Sequence, residues 1–268
     1  MIGLISSESD HASRNISEHL IESCGFERSK VAGMECWKKE RAALFRIDTP
    51  LISGEIVDSW GLEAIYFLSK HKSAQGVPAL TTHSLGNWTG EAKMGGRPME
   101  LSFAAPVEML GIISAIEKIK LEGFEKTYEA THHGPMLKTP SLFVEMGGND
   151  DSIKNKKVAQ RLAEAVDTAI FGQKPTPSKI VIGIGGTHYP KKFTELALQR
   201  GYAFSHIMPK HAILNEDGSD NLFMLEQAIR RSSIAPEAAV IDWKSVNAVI
   251  KERILNKLGE IGLDYERA

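Results

Sequence analysis

A chain of 268 residues, 42% hydrophobic and 25% charged, is long enough to bury a substantial core and has the composition of a folded globular protein rather than a disordered or fibrous one. Its formal net charge of −2 gives no support to broad, charge-driven nucleic-acid binding while leaving room for recognition of an RNA end. No apolar run reaches the ~20 residues that span a bilayer, no signal peptide is recognisable, and Cys24 and Cys36 form neither a CxxC site nor a disulfide framework; the expectation is a cytoplasmic protein with no membrane partner.

Residues 2–5 (IGLI) read as a first core strand, stopped by the polar run 6–10. Ser13 is placed to cap a helix to about Ser23, and the hydroxyl-lined turn before it, with Ser6, could hold an anion or order a substrate. The pattern over 31–58 is less regular: a strand over 41–47, then a short hairpin around Gly54. Residues 62–68 (LEAIYFL) and 79–82 read as strands, and each runs into a polar segment carrying a histidine, His71 and His83. Residues 93–98 are a flexible turn, and Pro106 opens a helix to about Lys120 whose buried face is Met109, Leu110, Ile113, Ile116 and Ile119.

The stretch 127–148 (TYEATHHGPMLKTPSLFVEMGG) carries the densest chemistry. Two short strands, at 127–128 and 142–144, run into Glu129, Thr131, His132 and His133 and into Glu145. Adjacent imidazoles flanked by carboxylates are costly to bury unpaired, so they call for a metal, a proton circuit or mutual hydrogen bonds. Neighbouring side chains on a strand face opposite ways, so His132 and His133 share one site only if the strand ends before them, which Gly134-Pro135 makes reasonable.

A helix follows from 151 or 152 to about 170, then a proline-bearing surface link over 173–178. Residues 180–184 (IVIGI) form a strand of the kind covered on both faces, ending in Gly185-Gly186-Thr187-His188-Tyr189-Pro190 before a helix over 191–199. A strand at 204–208, a helix at 221–230, a strand at 238–241 and a helix at 245–258 complete the chain. His206, inside its strand, is read as a hydrogen-bonded core imidazole. Strands separated by helices predict an α/β three-layer sandwich around one central, largely parallel or mixed sheet with inserted segments. The expected organisation is one unit over 1–268, the inserted segments making at most a smaller lobe.

Ligands of open α/β sheets lie beyond the carboxyl ends of strands, which would gather Ser6, His71, His83, His132, His133, Glu145 and His188 along one rim. The glycines at 183–186 lack the GxGxxG spacing of a dinucleotide site; Gly185 and Gly186 are expected instead to offer exposed N–H groups to a carboxylate, phosphate or oxyanion, with Lys191 and Lys192 beside them. Neither a GxSxG elbow nor an HExxH helix is present. Mixed His and Glu ligands fit zinc, with His83, His132, His133, Glu145 and His188 as candidates. Catalysis without metal would use a histidine as general base.

Together SKHKS at 69–73, THSLGNW at 82–88, EATHHGP at 129–135, FVEMGG at 143–148 and GIGGTHYPKKFT at 183–194 resemble the archaeal-type D-aminoacyl-tRNA deacylases, a family with archaeal and plant members. The resemblance spans nearly the whole chain. It implies a zinc-associated hydrolase that cleaves the ester joining a D-amino acid to the terminal ribose of tRNA, a proofreading reaction, on a fold similar to peptidyl-tRNA hydrolase and nucleoside phosphorylases. The family's polar blocks fall on His71, His83, Asn87, Glu129, His132, His133, Glu145, His188 and Tyr189. The implied assignment makes His132, His133, Glu145 and His83 catalytic, and Ser6, His71, Asn87, Gly185, Gly186, Tyr189, Lys191 and Lys192 substrate-binding, in a monomer engaging the 3′ acceptor end. Two other readings predict different behaviour: a nucleoside or phosphoryl-compound enzyme on a similar fold, or a noncatalytic acceptor-end binding module in which Trp88 and Tyr189 stack on bases.

Overall fold

The structure, a computed structural model, describes residues 1–72 and 76–268, so Ser73 of the 69–73 block lies outside the described residues. In chain order, β1 (Ile2–Ser7) and α1 (His11–Ser23) precede β2 (Glu27–Val31), β3 (Met34–Lys39) and β4 (Ala42–Ile47). Two 3-10 turns, Leu51–Ser53 and Glu55–Trp60, stand where a hairpin was expected around Gly54. They lead to β5 (Ala64–Lys72), β6 (Ala79–His83), the two-residue strands β7 (Gly86–Asn87) and β8 (Glu100–Leu101), and α2 (Pro106–Glu117). Then come β9 (Glu125–Tyr128), β10 (Ser141–Gly148), α3 (Asp150–Lys154) and α4 (Lys156–Phe171). The chain closes with β11 (Lys179–Ile184), α5 (Lys191–Arg200), β12 (Tyr202–Met208), α6 (Met224–Arg230), β13 (Ala238–Ile241), α7 (Ala248–Ile261) and β14 (Asp264–Arg267).

The fold is the expected α/β one with a large mixed central sheet, and four further strands form a second sheet. A mixed eight-stranded sheet runs β2-β3-β4-β1-β5-β10-β6-β9, and a parallel four-stranded sheet runs β12-β11-β13-β14. Strand alternation sorts the large sheet's side chains into two cores. Leu4, Tyr66, Leu68, Leu142, Val144 and Met146 face α1, α2 and α4, whereas Ile5, Phe45, Phe67 and Phe143 face the other way, under the 3-10 turns and the loop carrying Leu137. Val181, Phe204 and Val240 of the small sheet join the first of these cores, while Ile182, Ile184 and Ile241 pack with α6 and α7. Burial on both faces explains the uninterrupted apolar run at 180–184.

Two caps differ from expectation. Asp10, not Ser13, caps α1, its Oδ1 accepting from the Ala12 and Ser13 N–H groups while Oδ2 accepts from Lys70 N at 3.2 Å. Ser13 Oγ instead accepts from Ser7 N–H. The helix expected from about 151 to 170 breaks at Asn155, whose extended backbone (φ −73°, ψ 101°) ends α3 and whose Oδ1 accepts from Lys157 and Val158 N–H to start α4. Replacing Asn155 with Ala removes that cap and should lower unfolding free energy by about 1 kcal/mol, read as a lower urea midpoint with an unchanged slope.

Candidate active site

The register of four strands builds the site on a face of the large sheet. Glu145 of β10 stands opposite Ser69 of β5 and Thr81 of β6; His71 stands opposite Gly147, His83 opposite Phe143, and Thr127 of β9 opposite Thr81. These residues share one parity, so His71, His83 and Glu145 project to the same side as Phe67 and Phe143, and Glu129, two residues beyond Thr127, follows them. The strand-end rule therefore finds the right neighbours by a partly wrong route. β6 runs antiparallel to β10, so the end of β6 brings His83 onto the sheet face, and Glu145 lies within its strand rather than after it.

His132 and His133 come from the segment after β9. The strand ends at Tyr128, and His133 adopts a left-handed backbone with φ 44°. That reversal lets adjacent imidazoles face one site, with ring centroids 4.2 Å apart. Gly134 is obligatory here, because a Cβ on it would lie 2.0 Å from Gly96 N in the turn packed against it. His188 arrives from the small sheet, where its carbonyl accepts from Ala130 N–H.

Five imidazoles surround two buried carboxylates. Glu129 Oε1 lies 3.1 Å from His71 Nδ1, and Oε2 lies 2.8 Å from His188 Nε2 and 3.6 Å from His132 Nε2. Glu145 Oε2 lies 3.4 Å from His71 Nδ1 and 3.7 Å from His83 Nε2. His71 Nε2 meets the Tyr189 hydroxyl at 2.6 Å. Burial pushes both carboxyl groups up, but the imidazoles outweigh it, chiefly His188 for Glu129 and His71 and His83 for Glu145, so both end below the usual carboxylate range. Burial likewise lowers His71 and His83, yet the close approach of Glu145 and the charges of Glu145 and Glu129 carry both above the ordinary imidazole value. His132 and His133 go the other way: burial and the charge of His83 depress both, His133 to about 4.

The donor set suits a cation. A backbone carbonyl can only accept, so the Nδ1 atoms of His83, His132 and His133, at 3.0, 2.9 and 2.9 Å from the carbonyls of Ser84, Ala130 and Gly134, must each carry the proton. That leaves Nε2 of each as the ligating atom, the outer-shell arrangement typical of metal-binding histidines. One nitrogen from each of the three lies within 4.8 Å of the other two, and the sets His71–Glu129–His188 and His83–Glu129–Glu145 are equally close. His83 Nε2 and both Glu129 oxygens are buried without an aligned hydrogen bond among the described residues, which a cation would remedy. His188 falls with His71 and Glu129 rather than with the three-imidazole set.

Other expected residues take different places. Ser6 shares the parity of Leu4 and points to the helix face; its hydroxyl donates to the Phe45 carbonyl at 3.4 Å, so it is not part of the cluster. The Gly185 and Gly186 N–H groups are already donated, to Met208 O and to Ser245 Oγ, both at 2.8 Å, and are not exposed to an oxyanion. Asn87 Nδ2 donates to the carbonyls of Gly95 and Arg97 at 3.0 and 3.2 Å, pinning the turn over Gly134. Trp88 is buried, its Nε1 donating to Ile207 O at 3.2 Å, and cannot stack on a base. His206 is the core imidazole expected, held between Thr131 Oγ1 at 3.4 Å and Arg231 O at 3.0 Å.

Two cavities flank the cluster. One of about 500 Å³ is lined by His71, His132, His133, Glu145 and His188 together with Asp10, Lys70 and the apolar Pro50, Leu51, Ile52 and Met94. The other, of about 760 Å³, lies beyond His71 and His188 and includes Lys72, Tyr189, Lys191 and Lys192. Lys191 pairs with Glu125 at 3.1 Å, and Lys192 pairs with Asp242, so much of its positive charge is offset. Glu129, absent from the expected catalytic and metal sets, is their hub. Its position two residues beyond Thr127, within the EATHH block, was the available signal.

The sequence model of the D-aminoacyl-tRNA deacylase family matches residues 60–266. The chain belongs to the D-aminoacyl-tRNA deacylase family. Curated D-aminoacyl-tRNA deacylases from Pyrococcus abyssi and Thermococcus kodakarensis are 33% and 34% identical, covering 98% and 96% of both chains respectively. The Methanocaldococcus jannaschii deacylase is 32% identical over 98% of each chain. A crystal structure of a conserved protein of unknown function covers 100% of this chain and 95% of its own at 29% identity, with a TM-score of 0.88. As a member of this deacylase family the chain is an enzyme acting on aminoacyl-tRNA, and among the described residues no helix is long and apolar enough to cross a membrane.

The opposed imidazole shifts set a pH dependence for the metal-free deacylase. Below the unfolded histidine value of about 6.5, the unfolded chain takes up protons that His132, His133 and His206, all depressed, refuse, so stability falls as pH drops toward about 4. His71 and His83 contribute fully below about 6.5 and lose their contribution as pH rises through their raised values. Stability should therefore peak near neutrality, measured by urea unfolding across pH. Imidazole 15N shifts should show His133 neutral at pH 5 while His71 and His83 remain protonated.

Proposed function

We propose that the imidazole–carboxylate cluster hydrolyses the ester joining a D-amino acid to the terminal ribose of tRNA, releasing free D-amino acid and intact tRNA. What carries this reading is one cavity lined by His132 and His133, whose charged forms burial disfavours, beside His71, whose charged form Glu145 and Glu129 favour. A base and an acid at neutral pH are what ester hydrolysis needs, and the aminoacyl ester is already reactive, so positioning supplies much of the remainder.

With its Nδ1–H fixed on Gly134 O, His133 has its Nε2 lone pair free to accept a proton from water as the water oxygen attacks the ester carbonyl. His132, fixed on Ala130 O, is oriented in the same way. The carbonyl oxygen gains negative charge, which the positive charge of His71, lining the same cavity, stabilises in place of the glycine N–H groups. Collapse breaks the bond to the ribose oxygen, and the proton is returned to that oxygen as it leaves. Glu145 orients His71 and faces His83, while Glu129 holds His188 at the boundary between the two cavities. The same donor set would hold zinc through Nε2 of His83, His132 and His133 with Glu145 alongside; zinc would then replace the proton on His83 and occupy the base nitrogen of His133, and would supply Lewis acidity that polarises a carbonyl and makes water more acidic. The acceptor end enters through the larger cavity, where Tyr189 offers an aromatic face and Lys72, Lys191 and Lys192 approach its phosphates.

His133→Ala, His83→Ala and Glu145→Ala proteins that retain the fold should each lose about 100-fold or more in deacylation of D-tyrosyl-tRNA; undiminished turnover in all three removes the cluster from the reaction. Elemental analysis of the purified protein should find zinc, and chelation should lower its thermal midpoint as well as its turnover. Full activity in verified metal-free protein would reject the zinc role and leave the hydrolysis reading intact.

A further inference from the structure

Met94 is 56% exposed, yet it is not on a loose loop. Its carbonyl accepts from Gly134 N–H at 3.1 Å, directly after His133. The two glycines that follow are packed backbone to backbone: a Cβ on Gly95 would lie 2.0 Å from Ile52 O, and one on Gly96 would lie 3.1 Å from Gly134 Cα. The Asn87 amide ties down the carbonyls on either side of Gly96. The turn therefore holds Met94 beside Ile52, and with Pro50 and Leu51 they make an apolar wall to the same cavity that His132, His133 and Glu145 line.

We propose that this wall receives the side chain of the aminoacyl group, and that Met94 and Ile52 set a preference for large apolar D-amino acids over small ones. The proposal rests on the hydrolase reading of the cluster and adds to it the orientation of the acyl half of the substrate. A lone exposed methionine needs no explanation. One held against the active imidazoles, in a cavity otherwise lined by Asp10, Ser69, Lys70 and Lys72, divides the lining into polar and apolar sides. An aminoacyl ester has the same division: an ammonium and an ester on one side of its α-carbon, and a side chain on the other. A thioether on a fixed backbone is unbranched and adaptable, so it can cover side chains of different outline. The volume of about 500 Å³ accommodates a large side chain together with the ester.

The test compares D-phenylalanyl and D-alanyl esters of the same tRNA as substrates of wild type, Met94→Ser, Met94→Leu and Ile52→Thr. Losing apolar contact should lower kcat/KM for the phenylalanyl ester about tenfold relative to the alanyl ester in Met94→Ser, with a smaller fall in the same direction in Ile52→Thr. Met94→Leu should keep the wild-type ratio. An unchanged ratio in both Met94→Ser and Ile52→Thr, with thermal midpoints as in wild type, overturns the wall as the side-chain site while leaving the hydrolase assignment standing. Wild-type protein that hydrolyses neither ester overturns both.

Discussion

The structure depends on keeping two carboxylates ionised inside a sheet. Glu129 and Glu145 are almost wholly removed from water, a position that costs several kcal/mol per charge unless opposite charge stands close by. Their mutual repulsion adds to that cost. Two protonated imidazoles, His71 and His83, balance the pair, and no further buried carboxylate among the contacts of His132 and His133 would stabilise another positive charge. The split between these four imidazoles is thus a matter of charge count: two negatives favour two positives, and His132 and His133 are held toward the neutral form. A single cluster holds acids and bases together without any one residue having an unusual chemistry of its own.

Backbone geometry makes this concentration possible. Parity places His71, His83, Glu145 and Glu129 on one face, and Phe143 stacks against His83 with ring centroids 5.1 Å apart and planes 7° from parallel. The apolar ring beneath fixes the imidazole plane, and the Ser84 carbonyl fixes its tautomer. Gly147 opposite His71 has no room for a side chain, since a Cβ would lie 1.9 Å from His71 O, so the two strands can close up beneath the cluster. His133 accepts a left-handed backbone, a conformation that costs about 1–3 kcal/mol in a residue other than glycine. Strain of that kind is tolerable where the surrounding turn is fixed by Gly134, Gly96 and Asn87.

Much of this was legible in residue order. The strands at 2–5, 180–184 and 238–241 were visible because burial on one or both faces writes continuous apolar runs, and the helix at 106–120 because its buried stripe repeats at helical spacing. Histidines following strands marked the site. What escaped was information that depends on pairing partners. Ser6 looked equivalent to the other polar strand ends, but which face it presents is set by register with β4 and β5, not by its own neighbours. Gly185 and Gly186 looked like free donors because the residues that accept from them, Met208 and Ser245, lie far along the chain. The β2–β3 hairpin carries charged residues on largely exposed strands and so lacks the apolar signature by which the others were found. Separate sheets cannot be told from one by strand count alone.

The two cavities share His71, Lys72 and His188 as their common boundary, and this arrangement has a consequence for a substrate of two unlike halves. An aminoacyl-tRNA end is an acyl group on one side of a single ester and a polyanionic nucleotide chain on the other. A pocket that treated both halves alike could not place the reacting bond, because sliding the substrate by one bond length would cost nothing. Different residues on either side of one partition reduce that freedom: Pro50, Leu51, Ile52 and Met94 line the smaller cavity, and Tyr189, Lys191 and Lys192 line the larger. Under the proposed reading, the bond that joins the halves is held at the partition, where His188 meets the imidazole of His132 with ring centroids 4.7 Å apart. Recognition of the two ends and placement of the ester thereby become one constraint, and the residues that balance the buried charge are also those that divide the space.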